Sequence, residues 1–291
     1  MTRRTSSDDS APRLYITDLD GTLLDPDARL SPTTRAGLER LLTADVTFTI
    51  ATARNPHSIR EILGDVRLTL PVIAQHGALL TDMATLAHLR VRAMTSGAAL
   101  AVLDTAKQHG TSAWISTTTG TRDHVSYDVV TNGGMQWYLD DRVAAADQRL
   151  RRVGDLTSIF DEQVTCVTVM AQPDVTDAVA AALRNEHPGA MTIHVYDNAY
   201  SPGWRWLTAH ATDAGKDNGV RDLLERHELS DHEIVVFGDT TGDLPLFDVA
   251  HRRIAVANAD QELIDMACET IGPHHEDAVI EYILRDAGLD V

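Results

Sequence analysis

The chain has 291 residues, 43% of them hydrophobic. That is ordinary globular composition at a length that exceeds one usual core, so two domains, or one domain with a large insertion, are expected. Acidic residues outnumber Lys and Arg by 43 to 25, for a formal charge of −18, and such a field argues against nucleic acid or an anionic membrane as a partner.

Residues 1–12 are polar, with Arg3, Arg4, Asp8 and Asp9 and no apolar core, and read as a disordered tail rather than a signal peptide or anchor. The run Leu14-Tyr15-Ile16-Thr17 then stops at Asp18-Leu19-Asp20-Gly21-Thr22. An apolar run that ends in a polar, Gly-containing turn predicts a buried parallel strand leading into a functional loop. Ser31-Pro32 supplies an N-cap and a proline at the first helical turn, followed by Leu38, Leu41 and Leu42 at helical spacing. Val46 to Thr52 is rich in β-branched residues and reads as a second buried strand. Asn55-Pro56 opens another helix, and Leu70 to Ala74 is a third strand running into Gln75-His76-Gly77-Ala78. Strand and helix in alternation predict a doubly wound parallel sheet.

The pattern then changes. Leu79 to Val91 reads as a short hairpin, and Ala98 to His109 as an amphipathic helix. Strands are expected between Trp114 and Tyr127, with a turn at Gly120, and helix returns from Trp137 to Leu150. Val164 to Met170, Met191 to Val195 and Trp204 to Thr208 read as strands, with a helix over Val175 to His187. Helices mixed with adjacent strands suggest a separate α+β layer. From Lys216 the first pattern resumes, with a helix over Val220 to Leu229 and the apolar strand Ile234 to Phe237. That strand ends in Gly238-Asp239-Thr240-Thr241-Gly242-Asp243; a strand at Ile254 to Ala257 and helices around Leu263 and Ile280 follow. The expected fold is α/β: a Rossmann-like core of residues 13–91 and 211–291, interrupted by an inserted α+β cap domain of residues 92–210.

No stretch approaches the ~18 continuous apolar residues of a membrane span, and neither repeats nor low-complexity linkers stand out. Cys166 and Cys268 are too few for a disulfide framework and fit a reducing compartment; both read as packing residues, and the chain is expected to be cytoplasmic. The thirteen histidines show no ligand spacing, so no zinc site is expected.

Open α/β sheets place ligands at the carboxyl ends of their strands. Asp18 and Asp20 would converge there, where their charge calls for a cation or a proton, and Gly21 lets backbone N–H groups approach an anion. Taken alone, such an Asp-x-Asp is equally a solvated turn, Lys216 a surface lysine and Thr52 a strand residue. Arg54 is either a helix-start charge or a phosphate contact. Trp204 and Trp206, two apart, read as core packing on one strand face.

Taken together, these segments resemble the haloacid dehalogenase superfamily, and within it the Cof-like phosphatases with a large cap. Asp18-Leu19-Asp20-Gly21-Thr22 is similar to the nucleophile motif, Thr52 to the phosphate-binding Ser or Thr, Lys216 to the isolated lysine, and Gly238-Asp239 with Asp243 to the terminal acidic motif. The resemblance implies a phosphatase that acts on a small phosphorylated metabolite such as a sugar phosphate, nucleotide or phosphorylated cofactor. It implies Asp18 as nucleophile, Asp20 as acid and then base, and Thr52, the Gly21 amide and Lys216 on the phosphate. It also implies Mg²⁺ held by Asp18, the Asp20 carbonyl and Asp239, with Asp243 ordering metal-bound water or Lys216. Ala53, His76 and Gly242 depart from the pattern, the last two by removing side-chain amides near the phosphate.

In the cap, Asp197-Asn198-Ala199-Tyr200 offers a carboxylate, an amide and a phenol, so Asp197 and Tyr200 are candidate substrate contacts, against the plainer reading of a solvent-facing turn. Three other functions bear weighing. A phosphomutase of the phosphomannomutase type would need a more basic cap. A non-catalytic binding or regulatory member would not need Asp18, Asp20, Lys216 and Asp239 intact. A DxD glycosyltransferase leaves Lys216 and Gly238-Asp239 unexplained.

Overall fold

The computed structural model describes residues 11–120, 122–198 and 201–290; most of the expected tail lies outside them. In chain order the strands and helices are β1 (Arg13–Thr17), α1 (Pro32–Thr43), β2 (Thr47–Ile50), α2 (Pro56–Leu63), β3 (Val72–Ala74), β4 (Leu79–Thr81) and β5 (His88–Val91). Next come α3 (Ser96–Gln108), β6 (Ala113–Thr118), β7 (Asp123–Tyr127), α4 (Gly133–Ala144), β8 (Leu150–Arg152), β9 (Gln163–Ala171) and α5 (Pro173–Glu186). They are followed by β10 (Thr192–Asp197), β11 (Arg205–His210), α6 (Lys216–His227), β12 (Glu233–Gly238), α7 (Leu244–Val249), β13 (Arg252–Val256), α8 (Gln261–Met266), β14 (Glu269–Ile271) and α9 (Ala278–Asp286).

The described chain divides into two compact units, residues 11–52, 57–72 and 220–290 in one and residues 53–56 and 73–219 in the other. The expected insert, 92–210, falls within the second. In the first unit the strands run in the order β14-β13-β12-β1-β2, with every pairing parallel. Leu14, Ile16, Phe48, Ile50, Val235 and Phe237 are wholly or almost wholly buried, as strands covered on both faces must be. Ser31 caps α1 by accepting from the Thr34 N–H at 2.9 Å, and its hydroxyl donates to Asp277 beside α9. Gly37 lets α1 close on α9, since a Cβ there would meet Ile280 at 2.3 Å.

The second unit holds a sheet in the order β10-β11-β9-β6-β7-β8, antiparallel except for β7 with β8. Ile115, Val167, Val169, Leu207 and Ala209 bury one face with Val102 of α3 and Val179 and Leu183 of α5. The other face carries Trp114, Met170 and Trp206, packed with Met135 and Tyr138 of α4.

The structure corrects several expected elements. The third strand, β3, joins the hairpin strands β4 and β5 in a small sheet rather than the large parallel one. The helix expected from Trp137 to Leu150 is α4, which starts at Gly133 under an Asn132 cap; Leu150 belongs to strand β8. Its first turn holds two glycines, Gly133 and Gly134. They are there because Trp204 lies on them, within 2.9 Å of where either Cβ would stand. Trp204 therefore precedes β11 instead of sharing its face with Trp206. The helix expected from Val220 begins at Lys216.

Candidate active site

Three parallel strand ends build the site of the first unit. Asp18 follows β1, and its N–H donates to the Phe237 carbonyl at 3.1 Å, which sets it beside the end of β12. On the other side the Ala51 N–H donates to the Thr17 carbonyl at 2.9 Å, so Thr52 follows β2 at the same edge. Asp239 follows Gly238, the last residue of β12. Strand order here steps from β1 to β2 on one flank and to β12 on the other, the kind of switch point at which open α/β sheets receive ligands.

One carboxylate oxygen from each of Asp18, Asp239 and Asp243 comes together, all within 4.8 Å of one another. Asp18 is 8% exposed and Asp243 fully buried. Carboxylates taken this far from water need a proton, hydrogen bonds or a cation. Some of that need is met locally. Thr22 Oγ1 donates to Asp239 Oδ1 at 2.9 Å. Asp243 Oδ2 accepts from the backbone N–H groups of Asp239 at 3.0 Å and Thr240 at 3.3 Å, closing a capping box with Thr240. The donor set is all oxygen, which suits a hard divalent cation.

Gly21 is required twice over. Its φ is +72°, and a Cβ would stand 2.2 Å from Asp239 Oδ2. The loop is pinned from behind by Asn258, whose Nδ2 donates to the Gly21 carbonyl at 2.8 Å and whose Oδ1 accepts from the His274 N–H at 2.9 Å. The Asp239 carbonyl accepts from the Asp260 N–H at 2.7 Å. Sequence reading gave Thr22, Asn258 and Asp260 no role; the last two lie in a turn after β13 that carries no motif. Asp20, half-buried in the turn after Asp18, has φ −70° and ψ 126°.

Other predicted residues lie in the second unit. Lys216 opens α6 and is 4% exposed, which removes the surface-lysine reading. Gly77 sits directly against its turn: with φ +95°, a Cβ would lie 2.1 Å from the Gly215 carbonyl oxygen. Arg54 is half-buried, and its carbonyl accepts from the Gln75 N–H at 2.9 Å. The neighbouring Asn55 Oδ1 accepts from the buried Arg149 at 2.7 Å. Asp197 ends β10, exposed and paired with Arg205 at 2.8 Å; the Arg205 bonds hold its carboxyl below the usual range. Tyr200 lies outside the described residues.

His76, one of the departures from the family pattern, is the residue that sequence reading undervalued. It has φ +55° and stacks on His194 of β10 with centroids 4.0 Å apart and planes within 6°. His210 of β11 meets it edge-on at 5.0 Å. Burial above all, then His194, His210 and Lys216, push the His76 pKa well down. Burial and Lys216 bring His194 to about 4, and burial and His194 bring His210 to about 3. The three rings are therefore neutral at pH 7. Histidines scattered along a chain give no hint of such a cluster, because it is made by cross-strand register.

The sequence profile of the haloacid dehalogenase-like hydrolases matches residues 15–283. A 5-amino-6-(5-phospho-D-ribitylamino)uracil phosphatase of Bacillus subtilis is 24% identical over 281 residues, covering 91% of this chain and 95% of its own. A crystal structure from Thermotoga maritima superposes with a TM-score of 0.76 at 21% identity, covering 96% of this chain and 98% of that one. A sugar phosphatase of haloacid dehalogenase subclass IIB gives 0.72 at 18% identity, covering 95% and 99%. These two likenesses are of fold. Among the described residues no helix is long and apolar enough to cross a membrane. With nearly its whole length inside the matched profile, the chain belongs to the haloacid dehalogenase-like hydrolases, among the Cof-type phosphatases.

Proposed function

We propose that the protein is a Mg²⁺-dependent phosphatase that hydrolyses a small organic phosphate monoester through an aspartyl phosphate on Asp18. The observation that carries this reading is the meeting of Asp18, Asp239 and Asp243 oxygens at a strand edge that also bears Thr52. Asp18, the Asp20 carbonyl and Asp239 would hold the ion, with Asp243 bracing the Asp239 loop through its backbone amides. Bound there, Mg²⁺ would offset the negative charge of the carboxylates and of the phosphoryl oxygens.

The chain's own residues then divide the work. An Asp18 carboxylate oxygen attacks phosphorus in line, forming a P–O bond as the ester P–O bond breaks. Asp20 gives its proton to the departing alkoxide, so the product leaves as an alcohol. Asp20, now a carboxylate, takes a proton from water, and the hydroxide displaces phosphate from Asp18. The Thr52 hydroxyl and the Gly21 amide donate to phosphoryl oxygens, and Lys216 adds the positive charge that an acidic chain otherwise lacks. Selection of the alcohol is assigned to the insert, residues 92–210. The Bacillus subtilis relative is named for a phosphorylated ribitylaminouracil, in keeping with a small metabolite.

A panel of monoesters assayed with Mg²⁺ and with EDTA tests this. Release of inorganic phosphate in Mg²⁺ and its loss in EDTA are expected; equal rates in both would contradict the metal assignment.

A further inference from the structure

Two loops of the first unit meet at the site, one after β1 and one after β12, and a single short turn holds both. That turn follows β13 and closes where the Ala259 N–H donates to the Val256 carbonyl at 3.0 Å. From it, Asn258 Nδ2 donates to the Gly21 carbonyl at 2.8 Å. Two residues on, the Asp260 N–H donates to the Asp239 carbonyl at 2.7 Å, and Asp260 Oδ2 accepts from the Thr241 N–H at 3.1 Å. Both loops are thus tied to a common point.

The other half of the Asn258 amide is committed as well. Its Oδ1 accepts from the His274 N–H at 2.9 Å, and His274 Nδ1 lies 2.6 Å from the Leu24 carbonyl. A carbonyl only accepts, so Nδ1 carries the proton and donates. Leu24 closes the nucleophile loop, its N–H donating to the Leu19 carbonyl at 2.9 Å. Asn258 and His274 therefore hold that loop at two carbonyls, one on each side of Thr22.

Gly21 is the residue most in need of such a tie. It has φ +72° and ψ 0°, and without a Cβ it passes between backbone wells more readily than any other residue. Its carbonyl belongs to the peptide shared with Thr22, whose hydroxyl donates to Asp239 at 2.9 Å. Its N–H belongs to the peptide shared with Asp20. Holding the carbonyl end fixes the torsions between them, and with these the aim of the Asp20–Gly21 peptide. Asn258 and Asp260 are exposed and His274 is half-buried. Side chains at such positions contribute little to global stability, so the bonds they make act on geometry.

We propose that Asn258 and His274 are positioning residues. They set the Gly21 peptide and, with Asp260, the spacing between the nucleophile loop and Asp239, and they act on turnover through those groups without touching substrate. This rests on the phosphatase reading above.

Asn258→Asp in the intact protein tests it, because it keeps the oxygen that accepts from His274 and turns the donor into an acceptor facing the Gly21 carbonyl. Hydrogen exchange across residues 19–24 should quicken in this variant while strand β12 keeps its protection. With Mg²⁺ and the best monoester of the panel above, kcat should fall by about tenfold or more, the scale on which supporting residues act. KM should change less, and the melting temperature should stay within a few degrees of the wild type. His274→Ala should behave alike. His274→Asn, whose amide nitrogen stands as many bonds from Cα as Nδ1, should restore most of the rate. A residue that served only the fold would instead lower the melting temperature and quicken exchange in β12 too. If Asn258→Asp does not fold, the His274 pair decides. Unchanged kcat in the folded variants, or a rate that His274→Asn fails to restore, overturns the positioning role. If the wild type turns over no monoester of the panel, the phosphatase reading falls, and exchange across residues 19–24 alone decides whether the turn holds the loop.

Discussion

Asp239 is held on two sides before any ligand arrives. Thr22 donates to its carboxylate, and the Asp260 amide fixes its backbone carbonyl. Asp243 works differently, spending one oxygen on the amides of Asp239 and Thr240. The two aspartates should therefore respond differently to loss. Asp239→Ala is expected to abolish activity or to raise the Mg²⁺ concentration needed for half-activity by at least about tenfold, as loss of a ligand does. Asp243→Ala should lower the maximal rate with a smaller shift in that concentration, because it loosens the loop. Mg²⁺ titrations of both variants check this, and superimposable curves would contradict the division of roles. Thr52→Val removes one donor to a charged oxygen and should cost roughly 10- to 100-fold in kcat/KM. In the nucleophile loop Asp18, Asp20 and Gly21 were legible at this scale because each has a chemical reason to stand in the motif; Thr22, which holds Asp239, was not. Asn258 and Asp260 were not, since their roles come from main-chain contacts that no side-chain pattern announces.

Strands β10 and β11 bring together histidines 16 residues apart in sequence, at 194 and 210, by pairing Thr192 with His210 and His194 with Thr208. Their titration gives the second unit an acid limit. His194 and His210 have folded pKa values of about 4 and about 3, below the ~6.5 of an unfolded histidine. The unfolded chain thus takes protons first as pH falls, and stability is complete above about 6.5. Below that it should drop by up to about 1.4 kcal/mol per pH unit for each of these histidines, until the folded rings titrate. Urea midpoints of the intact protein at pH 7 and pH 5 measure the drop. His210→Phe should shrink it by about one proton's share, and an unchanged slope in that variant would contradict the assignment. Element identity was readable from periodicity for most strands and helices. The start of α4 was not, because Gly133 and Gly134 have no side chains to carry the helical period, and Trp204 lies over them. Strand β8, three residues with two arginines, offers no apolar alternation to read.

At the scale of the molecule, the proposed function places the phosphoryl chemistry on the parallel sheet of the first unit, while Lys216 and the imidazole cluster belong to the second unit. Strands β1, β2 and β12 of the parallel sheet were legible because they are buried on both faces, whereas the edge strand β14, Glu269-Thr270-Ile271 and largely exposed, was not, and β3 was expected in this sheet but belongs to another. The order of the large antiparallel sheet was not, since its pairings are long-range and its strands are rich in Thr. In a chain with net charge −18, the proposed reaction rests on the nucleophile above all, so it should stand or fall with the carboxylate at the end of β1. The most direct measurement is phosphate release by Asp18→Asn beside the wild type, at saturating Mg²⁺ and with thermal melts to confirm folding. Asparagine keeps the shape and removes the nucleophile. A folded protein is expected whose turnover falls by at least about 10³-fold, on the scale of losing the nucleophile elsewhere; hydrolysis by Asp18→Asn at near the wild-type rate would contradict the role given to Asp18.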